Sequence, residues 1–430
     1  MRKAPRKLLI IGLDGMPFEL LQELGRGGTM PRTWALLQQG RYMPMSVSLP
    51  EISAVSWSSF MTGTNAGNHG IFGFVDLEPG SYRFRFPDFR DLGLPTFFDD
   101  LGSRKKRSVI INLPSTYPAR PIFGVLISGF VSLHLERAVS PATYIPALKK
   151  MGYQIDVETA KGKDKKAEFL ADLSYILAVR KEAADLLWRS EDWDLFMFTV
   201  TETDRLHHFL FDAVADSRHR FHAEAIGFYQ ELDAVIGDLA GRIAGRDEFS
   251  LLMLSDHGFG PIQREIYLNP ILRKNRLLDF SEKNPKDLTA ILPSAKAFAL
   301  DPSRIYVHRK GKYPGGQVSR SDYDKVRNDI RDLFAGFRWN GQNVIQGVYC
   351  KEELYSGPYL DAAPDIVLLS RPGFDLKGGL EKIDETGLNH FTGMHRHDNA
   401  FFYISRPDLT LPEPMTIFSV RQVLNALLDH

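Results

Sequence analysis

Three unbroken aliphatic runs constrain this chain most. Lys7–Leu13 (KLLIIGL) stops at Asp14-Gly15, residues 194–200 (DLFMFTV) lead into Thr203-Asp204, and Phe249–Leu254 (FSLLML) ends in Ser255-Asp256-His257-Gly258. A strand with one wet face alternates apolar and polar residues. A run apolar throughout suits a strand buried on both faces of a parallel sheet. Between these runs the composition turns amphipathic and rich in Ala, Leu, Glu and Lys, which predicts long helices over 165–190 and 221–243. Strands alternating with helices predict an α/β fold, layered around a mainly parallel central sheet.

Shorter elements fill the frame. Helices are expected over 18–24, 31–39 and 420–428, and strands over 109–112 and 125–128. After Gly260 the texture changes to short strands with turn signals at Pro314-Gly315-Gly316, Gly357-Pro358 and Arg371-Pro372-Gly373, around one amphipathic helix at 322–334. The expected organisation is a core made of 1–261 together with 386–430, and an inserted cap sub-domain at 262–385.

At 430 residues the chain is too long for one small domain. Its 53 basic and 53 acidic residues cancel, which argues against a protein that coats nucleic acid. No segment approaches the roughly 20 apolar residues of a membrane span. The basic start MRKAPRK followed by an apolar run invites a leader peptide, but Gly12 and Asp14 cut that run short. Cys350 is the single cysteine, so no intramolecular disulfide or four-cysteine metal site can form. These features predict a cytoplasmic protein.

Polar residues gather where the aliphatic runs end, and open α/β sheets place ligands there. Asp14 ends the first run, Asp204, His207 and His208 follow the second, and Asp256 and His257 follow the third. Gly393-Met394-His395-Arg396-His397 stands near the C-terminus. Carboxylates and neutral imidazoles are good ligands for zinc and its neighbours. Asp204 and His208 are four apart, so one helical turn presents both to one ion. Adjacent Asp256 and His257 can share an ion only in an irregular backbone, which Gly258 would permit. Taken singly, each piece has a plainer reading. Asp14-Gly15 is a common turn, an Asp and a His four apart suit an exposed helix face, and Asp256 could cap a turn.

Residues 50–63 (PEISAVSWSSFMTG) read as a short helix over 54–61 with Ser53 as N-cap and Gly63 as its stop. A hydroxyl there faces the positive end of the helix dipole, where anions bind. Bound also to a metal, it would lose its proton readily and become a nucleophile.

The order LLIIGLDGM, S-x-x-x-W-x-S-F-M-T-G-x(5)-H-G-I, T-D-x-x-x-H, S-D-H-G-F-G and G-M-H resembles the alkaline phosphatase superfamily, and within it the type I phosphodiesterase/nucleotide pyrophosphatase branch. The resemblance runs from Lys7 to the C-terminus and includes Arg304-Ile305-Tyr306 and Ala363-Pro364-Asp365. It implies an alkaline-phosphatase-like three-layer α/β/α sandwich and a two-metal phosphoryl-transfer site. Asp204, His208 and His395 would hold one ion. Asp14, Asp256 and His257 would hold the other, with the oxygen of Ser53 bound to it. Counting back from Thr62-Gly63 selects Ser53 over Ser56, Ser58 and Ser59 as the nucleophile. His207 is expected to support or pack, and His397 to line the substrate pocket.

The chain departs from the pattern in two places. Nucleotide pyrophosphatases carry an Asn shortly after His-Gly-Ile to hold a phosphate oxygen, and Phe74 aligns there. The x-Pro-x-Arg that follows a sulfatase nucleophile is missing after Ser53. The resemblance implies hydrolysis of a small phosphate-ester substrate, diesters before monoesters, through a phospho-Ser53 intermediate. Its two divalent ions are expected to be zinc, given three histidines, with manganese the alternative. Two other readings are a phosphoryl-transferring mutase of the phosphoglycerate mutase type, whose long early insertion this chain lacks, and a non-catalytic binding domain on the same fold. Arg304, Tyr306, Lys310 and Lys312 of the cap could contact a leaving group.

Overall fold

A computed structural model describes residues 7–283 and 285–428; residues 1–6, the basic start weighed above as part of a leader, lie outside them. The chain divides into two compact units. One comprises residues up to Thr64, Asp88–Gly260 and the chain from His390 on; the other comprises Asn65–Pro87 and Pro261–Asn389.

The first unit is built on an eight-stranded sheet. Its order is Arg41–Met45, Ala400–Ile404, Phe249–Leu254, Lys7–Leu13, Leu195–Val200, Ser108–Leu113, Gly124–Ser128, Val139–Ser140. The five strands from Phe249–Leu254 to Gly124–Ser128 are parallel, and each flanking strand pairs antiparallel with the strand before it towards the edge. The three aliphatic runs are central neighbours: Ile10 pairs with Met197 on one side and Leu252 on the other.

Alternation along these strands splits the core in two. Leu9, Ile11 and Leu13 join one apolar cluster with residues of the helices Lys166–Ser190 and His222–Gly241. Leu8 and Ile10 join a second with Trp57 and Phe60 of the helix Ser53–Thr62 and Leu424 of the helix Val420–Leu428. Helices therefore cover both faces, which is why the strands read as unbroken aliphatic sequence. The fold is an alkaline-phosphatase-like α/β/α sandwich. Truncating Ile10 or Ile11 to Ala would leave a cavity costing about 2–5 kcal/mol. Among the described residues no helix is long and apolar enough to cross a membrane.

The second unit has its own core. The strands Ala297–Leu300, Arg304–Val307, Ile366–Ser370 and Ile345–Cys350 form an antiparallel sheet. Val326, Ile330 and Phe334 of the helix Tyr323–Ala335 pack in the same cluster. Asn65–Pro87, expected in the core, belongs to this unit. Leu77, Tyr82 and Phe84 lie on its apolar cluster, and Arg304 Nη2 donates to the Val75 carbonyl at 2.7 Å. These are long-range contacts that sequence proximity to Ser53 does not reveal. The same packing removes two of the proposed leaving-group contacts: Arg304 and Tyr306 are 0% and 2% exposed.

Candidate active site

Five chain segments of the first unit meet at the ends of the central strands. Asp14 follows the Lys7–Leu13 strand at a turn made by Gly15, whose φ of 65° is in the left-handed region. A side chain on Gly15 would also strike the Phe259 ring at 2.9 Å. The Gly15 N–H donates to Asp256 Oδ1 at 3.1 Å, so the turn ties the first aliphatic run to the third. Gly258 acts differently from the expectation. Its backbone is not left-handed; a Cβ there would fall 1.7 Å from Asn399 Oδ1, so close approach is what requires glycine.

Ser53 is the first residue of the helix Ser53–Thr62, with Ile52 in the N-cap position and no side-chain cap bond. The expected N-cap role is thus shifted by one residue. Ser53 is buried, with Oγ 3.3 Å from Asp14 Oδ1 and 3.2 Å from His257 Nε2. Ser56 instead points to Ser48, their hydroxyls 2.7 Å apart.

Asp204 and His208 lie one turn apart on the helix Glu202–Ala215, with His208 Nε2 3.4 Å from Asp204 Oδ1. His395 Nε2 is 3.2 Å from the same oxygen and 3.0 Å from His208 Nε2. His395 comes from the short strand Gly393–Arg396, which pairs with Gly258–Pro261 and so sits beside His257, their rings stacked at 3.7 Å. His207 is turned away. Its Nδ1 is 2.9 Å from the Gly15 carbonyl oxygen and its Nε2 meets the Tyr229 hydroxyl, leaving no lone pair for an ion. His397 is half-buried and belongs to neither cluster of ligand atoms. His69 lies in the second unit, where burial pushes its pKa down to about 3.

The hydrogen bonds fix which nitrogens carry protons. His395 Nδ1 lies 2.8 Å from the Glu51 carbonyl oxygen and His257 Nδ1 3.1 Å from that of Gly258, so each Nδ1 donates and each Nε2 presents a lone pair. Those lone pairs face carboxylates. Asp204 Oδ1 and Asp256 Oδ2 are buried and accept no hydrogen bond among the described residues. Burial and the charges of Asp256 and Asp204 hold Asp14 well above the usual carboxylate range. Burial, with Asp204 adding to it, raises Asp256 to about 7, and burial with His395 lowers His257 to about 4. Acceptors facing acceptors in a dry pocket call for cations between them. Two groups have ligand atoms within 4.8 Å of one another: Asp14, Asp256 and His257, and Asp204, His257 and His395. The donor set fits divalent metal ions.

Three supports escaped the sequence reading. Trp57 Nε1 donates to Asp14 Oδ2 at 3.0 Å, Thr203 Oγ1 donates to the Asp14 carbonyl oxygen at 2.6 Å, and Arg205 Nη1 donates to Asp204 Oδ2 at 2.9 Å. Trp57 and Arg205 sit inside the motifs, yet nothing in the residue types announces their partners.

Comparison with known proteins shows the family and the fold. The family model of type I phosphodiesterase/nucleotide pyrophosphatase matches residues 8–398. A phosphonoacetate hydrolase from Sinorhizobium meliloti 1021, solved with phosphonoacetate, superimposes with a TM-score of 0.66 at 18% identity, over 98% of this chain and 96% of that one. Murine ectonucleotide pyrophosphatase/phosphodiesterase 5 gives 0.55 at 14% identity, over 99% and 95%. An inactive variant of it in complex with AMP gives 0.56 at 13%, over the same shares. No curated protein gives a significant match. The chain belongs to the type I phosphodiesterase/nucleotide pyrophosphatase family and is a hydrolase of phosphoric ester bonds.

Proposed function

We propose that the protein hydrolyses phosphate diesters by double displacement through Ser53. The supporting observation is the position of Ser53 Oγ, 3.3 Å from Asp14 Oδ1 and 3.2 Å from His257 Nε2, at the start of a helix. We assign Asp14, Asp256, His257 and the Ser53 oxygen to one divalent ion, and Asp204, His208 and His395 to the other. Three histidines among the ligands favour zinc, with manganese second. Bound there, two such ions would ease deprotonation of the Ser53 hydroxyl and neutralise charge on the phosphoryl oxygens.

The chain's own residues supply the rest. Asp14 is held by Trp57 and Thr203, and Asp204 by Arg205, so the carboxylates stay oriented while substrate charge arrives. The amino end of the Ser53–Thr62 helix favours the phosphoryl anion. Ser53 Oγ gives up its proton and bonds to phosphorus as the first alkoxide leaves and is protonated. Water then attacks the phospho-Ser53 ester; the Oγ–P bond breaks, and Ser53 regains a proton. The chemistry resides in the first unit, which supplies every assigned residue. We read 262–385 as a cap sub-domain. The single cysteine, Cys350, fits a reducing, cytoplasmic setting.

The test is a panel of an aryl phosphodiester, an aryl phosphomonoester, a dinucleotide pyrophosphate and phosphonoacetate, given to zinc-loaded protein with and without chelator. Chelator-sensitive cleavage with the diester preferred is expected. Phosphonoacetate belongs in the panel because the hydrolase of that name shares the fold. Cleavage of phosphonoacetate alone, or turnover indifferent to chelator, would reject the reading.

A further inference from the structure

The second unit carries a cationic pocket that the reaction above does not use. Its volume is about 480 Å³, within the size range of small-molecule sites. Arg309, Lys310, Arg320 and Lys351 line it, with Tyr323 and a single acidic residue, Glu352.

Within this region one carboxylate is firmly held. Asp365 is fully buried, and its carboxylate accepts from the Val307 N–H at 2.8 Å, from the Tyr323 hydroxyl, and from Lys351 Nζ at 3.1 Å. It neutralises one cation. Three cations nevertheless surround the Tyr323 ring, with Arg327, Arg309 and Lys351 at 4.7, 5.6 and 5.8 Å from its centroid. The carboxylates paired with the two arginines lie near the surface. Asp361 on Arg309 is 79% exposed, and Asp324 and Glu352 on Arg327 are 78% and 47% exposed. Pairs with so exposed a partner are weak and screened by salt. Nε of Arg309 and Nε of Arg327 are buried and have no hydrogen-bond partner among the described residues. Lys310 and Arg320 are exposed and make no ion pair among them. Burial, with like-charge repulsion from Arg309 and Lys351 added, lowers the Lys312 ammonium.

We propose that this pocket binds a compact small molecule bearing two or more phosphate-like oxyanion groups. Such a ligand would displace the exposed Asp361 from Arg309 and gather Lys310 and Arg320, while Asp365 keeps Lys351 and Tyr323 in place. Fork-shaped guanidinium groups match the geometry of phosphate oxygens.

The probe is pyrenetetrasulfonate, a fluorescent polyanion with no ester bond to cleave, followed by anisotropy on the full-length, zinc-loaded protein at low salt. Saturable binding is expected, displaced by inorganic phosphate. The Arg309→Gln, Arg320→Gln double variant should weaken it by about tenfold or more, as loss of two charge-assisted contacts implies. Its melting temperature and its hydrolysis of an aryl phosphodiester should be unchanged. An Arg273→Gln, Lys274→Gln control, at a basic helix end of the same unit, should bind as the wild type does. Undiminished binding by the pocket variant, or equal weakening by the control, would overturn the proposal.

Discussion

Arg205 Nη1 lies 2.9 Å from Asp204 Oδ2, so one oxygen of this carboxylate is held by a guanidinium while the other, Oδ1, faces the imidazoles of His208 and His395. The guanidinium is itself fixed. Nε and Nη2 reach Asp156 at 3.0 and 2.7 Å, and the group stacks 4.0 Å over the Phe130 ring. Asp204 thus offers its neighbours a single, oriented oxygen.

Arg205→Lys keeps the charge but loses the fork. Changes to groups that orient metal ligands typically cost about 10–100-fold in metal affinity or activity. A loss of that size in zinc affinity, measured by competition with a chromogenic chelator, is expected for the variant. Wild-type affinity would show that Asp204 needs no external orientation.

Ser53→Ala should lower diester turnover by about 10³-fold or more, as loss of a nucleophile does, with zinc content near that of the wild type. Ser56→Ala should keep its turnover, because Ser56 is engaged with Ser48. Steady-state rates and elemental analysis of both variants decide between the two serines, and the reverse pattern would move the nucleophile to Ser56.

Trp57→Phe preserves most of the buried ring and removes the Nε1 bond to Asp14 Oδ2. Leaving a buried carboxylate oxygen without its donor costs about 1–3 kcal/mol. A lowered melting temperature in zinc-free protein, partly restored by zinc, is expected. An unchanged melting temperature would mean that Asp14 finds another donor.

The fold was legible because its defining strands are buried on both faces. Leu8 to Ile11 are all fully buried, so the strand reads as an unbroken aliphatic run. The grouping of the motif residues was legible because carboxylates and imidazoles recur where the aliphatic runs end. What stayed hidden was long-range. Trp57 reads as an ordinary core aromatic, and its bond to Asp14 crosses from helix to strand end. Arg205 reads as a solvated helix charge until Asp156 and Phe130 are placed around it. Asn65–Pro87 follows the Ser53 helix in sequence, yet its apolar side chains belong to the second unit's core. Arg304 reads as a site cation, but the carbonyls of Val75 and Asp301 bury it as a structural donor.

His69 is buried, and its Nδ1 accepts from the Ile71 N–H at 3.2 Å. Burial depresses its pKa from 6.5 to about 3, so the folded state keeps it neutral where the unfolded chain takes up a proton. Its contribution to stability is therefore complete above pH 6.5 and is lost as pH falls through that window towards 3. Within the window the stability slope should contain about 1.4 kcal/mol per pH unit from this group. Denaturant titrations of wild type and His69→Gln across it should differ in slope by that amount, and parallel curves would mean that His69 protonates in the folded state.

The central claim is a double displacement through Ser53, and the stereochemical course at phosphorus tests it most directly. The measurement is hydrolysis of a chiral phosphorothioate diester in isotopically labelled water by the zinc-loaded enzyme, with the product configuration read by phosphorus NMR. Two in-line steps through phospho-Ser53 predict net retention. Net inversion would mean that water attacks the substrate directly, and would contradict the role assigned to Ser53.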